Sequence, residues 1–111
     1  MKITNFVEEF IASSNAYDTV DYVSKWQTDV ILDDPSVGNV YVGHSEIKNY
    51  FESYFIGYRT QTKLIKLDIT SDNKANLEVE FTGSFPEGKI KGFFSFTFEE
   101  GRISKAFADL L

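Results

Sequence analysis

Two periodicities divide the chain. In the first half, Phe6, Val7, Phe10 and Ile11 recur at three- and four-residue spacing and predict a helix, with Asn5 and Glu8 as its capping pair. The break at Ser13-Ser14-Asn15 leads to Asp18, the expected N-cap of a second helix carrying Val20, Val23 and Trp26. Val30 to Asp33 reads as a short strand, Asp34-Pro35-Ser36-Val37-Gly38-Asn39 as a loop, and Val40-Tyr41-Val42 as a second short strand. A third helix is predicted from about His44-Ser45, with Ile47, Phe51, Tyr54 and Phe55 on one face.

The second half alternates. Ile65, Leu67 and Ile69 take every other place, then Ala75, Leu77, Val79 and Phe81, then Phe94, Phe96 and Phe98, with a last strand from Arg102 to Leu110. Ser71-Asp72-Asn73-Lys74, Pro86-Glu87-Gly88 and Glu100-Gly101 supply the turns. Strands joined in sequence by tight turns pair antiparallel, so the pattern predicts an α+β domain with helices covering one face of a meander.

Composition narrows the chemistry. The chain has 111 residues, enough for one domain, and its aromatic fraction of 16% predicts a bulky core. Seventeen acids against eleven bases give a net charge of −6, which repels phosphate backbones and anionic membranes; no nucleic acid or membrane is expected as a partner. With no cysteine and one histidine, His44, the chain has no disulfide, no thiolate nucleophile and no zinc site of the sulfur or two-histidine kind. Asp33, Asp34 and Asp29 lack an EF-hand spacing, and no Gly-rich phosphate cradle accompanies them, so neither metal nor cofactor is expected. Apolar runs end after three residues, as in Val30-Ile31-Leu32, and Met1-Lys2-Ile3-Thr4-Asn5 does not read as a targeting segment; the expected location is the cytoplasm.

The order of elements, taken with Trp26-Gln27-Thr28-Asp29-Val30, Asp33-Asp34-Pro35, Gly43-His44-Ser45-Glu46-Ile47 with Tyr50-Phe51, and Gly101-Arg102-Ile103, resembles the nuclear transport factor 2-like superfamily. Within it the chain is most similar to the SnoaL-like and ketosteroid-isomerase-like branch, over essentially residues 1–111 as a single domain. The resemblance implies a cystatin-like cone in which N-terminal helices pack in a strongly curved, mostly antiparallel sheet around an apolar pocket. Members of the superfamily isomerise, cyclise, dehydrate or bind small molecules there, and others serve as interaction modules, so the fold alone does not settle the activity.

On that resemblance, Asp34 takes the place of the general base that moves a proton beside a carbonyl. A carboxylate at the rim of an apolar cavity is partly desolvated, which suits that task. An aspartate before proline also bonds to nearby backbone amides in extended turns, a purely structural use. The isomerases' two oxyanion donors fall on or beside Phe10 and Phe94, which cannot donate, and losing one donor typically costs about 10²–10³ in rate. Steroid isomerisation is therefore not expected. Tyr17, Tyr22, Tyr50 and Tyr54 are substitute donors, with Tyr54 best placed on the apolar helix face. His44, at a helix start, reads as solvated rather than catalytic.

The expectation is thus a pocket lined by Phe10, Trp26, Phe51, Tyr54, Phe94 and Phe96, given volume by Ala106 and Ala108 and anchored by Asp34. It would bind a small, mostly apolar ligand, with isomerase- or cyclase-type proton transfer by Asp34 left open. A non-catalytic dimeric interaction scaffold is the alternative, and a cavity below roughly 300 Å³ would favour it. Phe93 among polar outward positions, with Glu78 and Glu80 facing Lys89 and Lys91, fits a homodimer through the outside of the sheet, the common mode in the superfamily.

Overall fold

The computed structural model describes residues 1–111 throughout. Helix α1 (Ile3–Asn15) buries Ile3, Phe6, Val7 and Phe10, as its spacing requires, but begins ahead of the expected capping pair. Lys2 stands at the N-cap and no side chain caps the helix, so Asn5 and Glu8 are simply helical residues. Helix α2 (Thr19–Ser24) is capped as expected: the Asp18 carboxylate accepts from the Asp21 amide at 3.1 Å. Its buried residue is Tyr22, whereas Val20 is 83% exposed and Trp26 already belongs to a strand. A six-residue helix makes fewer than two turns and has room for little more than one core position. The Tyr22 ring takes it, stacked on Phe51 with centroids 3.9 Å apart.

Strands β1 (Trp26–Asp34) and β2 (Asn39–Val42) form an antiparallel pair. β1 is more than twice the expected length because its register against the last strand shifts between Trp26 and Ile31, which hides the alternation behind Gln27-Thr28-Asp29. Helix α3 (Gly43–Phe51) runs into a π-helical turn, Glu52–Ile56, and buries Ile47, Tyr50, Phe51 and Phe55. Then come β3 (Gln61–Ser71), β4 (Lys74–Thr82), β5 (Lys89–Glu99) and β6 (Arg102–Leu110). The sheet order is β2-β1-β6-β5-β4-β3, antiparallel except where β1 lies parallel to β6. The result is an α+β fold, its helices set against a strongly curved sheet.

Alternation holds along β4 and β5, where Ala75, Leu77, Val79 and Phe81 face Phe94, Phe96 and Phe98 in the core. It fails along β3. The register shifts between Leu64 and Lys66, so Ile65 is the extra residue and lies 45% exposed, while Leu64 and Leu67 pair with the inward Val79 and Leu77. A similar shift beside Ile103 in β6 still leaves Ala106 and Ala108 buried, facing the core as expected. Phe10 lies at the centre of the packing, its ring 5.2 to 6.2 Å from those of Tyr22, Trp26, Phe94 and Phe96. No helix is long and apolar enough to cross a membrane.

Candidate functional site

A cavity of about 160 Å³ opens between the π-helical turn and the ends of β4, β5 and β6. Its walls are largely aromatic: Tyr50, Tyr54 and Phe55 from the third helix and its extension, Phe81 from β4, Phe94 from β5, and Tyr58 and Phe85 at the rim. Ala108 leaves the space on the β6 side. Tyr58 and Phe85 meet edge to face at 6.1 Å, and the Ser84 amide donates to the Tyr58 carbonyl at 2.7 Å, tying the two rim segments together.

Asp34, the last residue of β1, is only 4% exposed and forms part of this wall. Its Oδ1 accepts the Ser36 amide at 3.1 Å and the Ser36 hydroxyl at 2.5 Å, the local turn bonding open to an aspartate before proline. Its Oδ2 accepts the Tyr50 hydroxyl at 2.9 Å. Asp34 thus accepts three hydrogen bonds, and of its roughly four acceptor positions one on Oδ2 stays open.

Tyrosines surround this carboxylate. The Tyr50 ring lies 5.0 Å from that of Tyr41 and 5.7 Å from that of Tyr54. Burial pushes the Tyr50 phenol well above its ordinary pKa, and the neighbouring Tyr22 and the charge of Asp34 push it further. Tyr22 is raised by burial first and by Asp34 second; Tyr41 is raised by burial and by its hydrogen bond with Tyr54. All three therefore remain neutral donors at physiological pH. The Tyr22 hydroxyl and the Trp26 indole N–H are buried without a hydrogen-bond partner.

Of the residues the sequence nominates, Asp34, Tyr54 and Phe94 come together around the cavity. Phe10, Trp26, Phe51 and Phe96 do not line it; they belong to the closed core beside it. The reason is volume, since Phe10, Trp26 and Phe96 pack against one another at centroid distances of 5.4 to 6.0 Å, Phe51 stacks on Tyr22 at 3.9 Å, and together they fill the interior. Tyr17 is remote, its hydroxyl accepting from Gln61 Nε2. His44 is half-buried, with Nε2–H donating to the Trp26 carbonyl at 2.7 Å, a structural bond. Sequence reasoning missed Ser36 and the rim residues Tyr58 and Phe85, and it favoured Tyr54 over Tyr50 as donor. Phe81 was legible as an inward strand position, but nothing local marks Tyr50 as the partner of Asp34. No group of three or more histidine, cysteine, aspartate or glutamate side chains is gathered that could hold a metal ion.

A strongly curved mixed sheet set around helices is the nuclear transport factor 2-like cone fold. The SnoaL-like domain model matches residues 7–106, and the chain belongs to the SnoaL-like family. Solved structures with this fold include a polyketide cyclase-type protein from Sinorhizobium meliloti (19% identity, TM-score 0.84, covering 94% of this chain and 93% of that one). The epoxide hydrolase/cyclase-like enzyme SalBIII of salinomycin pyran-ring formation is also similar (19%, 0.85, 97% and 89%). So is Rv0760c from Mycobacterium tuberculosis, solved with estradiol-17beta-hemisuccinate (12%, 0.82, 95% and 90%). At these identities the likeness shows the fold. No curated protein matches the chain in sequence.

Proposed function

We propose that this chain binds a compact, mostly apolar small molecule in the cavity, with Asp34 as its polar anchor. The observation that carries the reading is a buried carboxylate on an aromatic cavity wall, held by Tyr50 and Ser36 with one acceptor position left open. A ligand that presented an acidic C–H at that position would meet a base of fixed orientation, so isomerase- or cyclase-type proton transfer is the chemistry available to Asp34. A steroid is not the substrate proposed, because about 160 Å³ is close to the 150 Å³ or so that encloses a single benzene ring. Phe10 and Phe94 also cannot donate where the isomerases place their oxyanion donors.

A thermal-shift screen of wild type and Asp34→Asn against single-ring ketones, phenols and alcohols tests the reading. A ligand at 100 times its dissociation constant stabilises the fold by roughly 2.7 kcal/mol. Stabilisation in wild type that weakens in the variant supports the anchor role. Equal stabilisation of both proteins removes that role from Asp34.

The size of the cavity favours a second reading, a scaffold without ligand, since about 160 Å³ falls short of the ~300 Å³ of drug-sized sites. Exposed apolar residues on the outside of β1, β2 and β6, namely Ile31, Val40, Val42 and Phe107, at 36% to 52% exposure, give such a scaffold a face. A homodimer through this face is compatible with either reading. Sedimentation of wild type and Phe107→Glu tests it: a dimer that the substitution converts to monomer supports the face, and a wild-type monomer refutes it.

A further inference from the structure

Asp34 has no counter-ion. The ion pairs of the chain join Lys25 to Glu9 and Asp21, and Lys89 to Glu80; none reaches the cavity. The three donors to Asp34 are a phenol, a hydroxyl and an amide, all neutral. A carboxylate that is 4% exposed and bonded only to neutral groups carries an uncompensated charge in a poorly solvating place. The remaining charged residues of the lining have the same sign: Glu87 at the mouth and Asp109 at the rim, with no lysine, arginine or histidine among them.

The rest of the wall suits a cation. Tyr50, Tyr54, Phe55, Phe81 and Phe94 surround the space, and ring faces attract ammonium groups, more strongly where water is excluded. Oδ2, which accepts one bond from Tyr50, has an acceptor position left for an N–H donor, while Oδ1 already accepts two bonds from Ser36. A net charge of −6 adds long-range attraction for cations and repulsion for anions. From these observations we infer that the ligand is a small organic cation. A primary or secondary ammonium donates to Asp34 Oδ2, and a compact apolar body of about one ring lies against Phe55, Phe81 and Phe94. This rests on the ligand-binding reading above and names the chemical class that the site selects; carboxylate and phosphate ligands are excluded by the same charges.

Three single-ring probes of similar size and different charge separate the inference from the reading beneath it. Titration calorimetry on wild type at neutral pH compares benzylammonium, benzyl alcohol and benzoate. The expected order is benzylammonium at least about tenfold tighter than benzyl alcohol, with no binding of benzoate. In Asp34→Asn the preference for the amine disappears: benzylammonium falls to the affinity of benzyl alcohol, which itself binds more weakly than to wild type. In wild type, benzylammonium shifts the Ser36 amide resonance, because that amide bonds to the anchoring carboxylate; this measurement stands even if the variant does not fold. Equal binding of amine and alcohol, an amine preference that survives in Asp34→Asn, or an unmoved Ser36 amide overturns the cation inference and leaves the pocket reading intact. Binding of none of the three overturns both.

Discussion

The Tyr50 hydroxyl on α3 donates to Asp34 Oδ2 at the end of β1 over 2.9 Å, and both side chains are buried. Both residues line the cavity, and this bond is one of only three to the Asp34 side chain, all from neutral donors. The two residues are sixteen positions apart, and they meet because α3 packs against β1.

Removing that hydroxyl exposes its worth. A hydrogen bond to a charged group contributes about 1.5–3 kcal/mol, so Tyr50→Phe is expected to destabilise by that amount in urea unfolding. Tyr54→Phe, which leaves all three bonds to Asp34 in place, is expected to cost about 1 kcal/mol or less. Equal losses in the two variants would show that Asp34 does not depend on Tyr50.

Alkaline pH gives an independent check on burial. Below the ordinary phenol pKa of 10.0, folded and unfolded chains both keep the protons of Tyr22 and Tyr50, and the stabilisation is complete. Above it the unfolded chain releases them and the folded chain does not. Stability then falls by about 1.4 kcal/mol per pH unit for each of these tyrosines, until their raised folded-state values are reached. Urea midpoints should be steady with respect to these groups up to about pH 10 and decline beyond it. Tyrosinate absorbance from the buried pair should appear only with unfolding; its appearance in the folded protein would contradict their burial.

Core and cavity wall are separable by mutation. Phe96 is 1% exposed and packed among Phe10, Trp26, Phe94 and Phe98, so Phe96→Ala should cost about 3–5 kcal/mol, a large part of the stability of a domain this size. Phe85, half-buried at the rim, should cost about 1 kcal/mol when replaced by alanine yet weaken ligand binding. If Phe85→Ala bound every ligand as wild type does, the occupied site would lie elsewhere.

Gly92 holds the wall in place without lining it. A methyl group there would come within 2.6 Å of the Phe81 ring and 3.2 Å of the Asp109 carbonyl. Phe81 must then shift, and it is part of the cavity wall. Gly92→Ala is expected to destabilise by about 1–3 kcal/mol, the usual cost of overpacking, and to change ligand affinity in calorimetry. Unchanged stability and affinity together would mean that the ring has free space behind it.

Much of the fold was legible. Period-two alternation in Ala75 to Phe81 and Phe94 to Phe98 survives in the structure because each strand has one face on the core, and Asp18 caps α2 because capping is a contact within one turn. Where a bulge intervened, as at Ile65, alternation misled, since an extra residue inverts the faces without any mark in composition. The site was half legible. Asp34 stood out beside Pro35, and Tyr54 and Phe94 were placed on the cavity, whereas the four rings assigned with them fill the core instead.

Local spacing along the chain made most of the helical segments, the meander and the acidic balance legible, because each depends on neighbours within a few positions, whereas Asp34 was singled out by the family resemblance. Long-range packing settled the rest: the parallel contact of β1 with β6, the bond from Tyr50 to Asp34, and a cavity of about 160 Å³. Those outcomes depend on how large side chains from distant segments share one interior volume, and that volume is defined only once the sheet has curved around the helices.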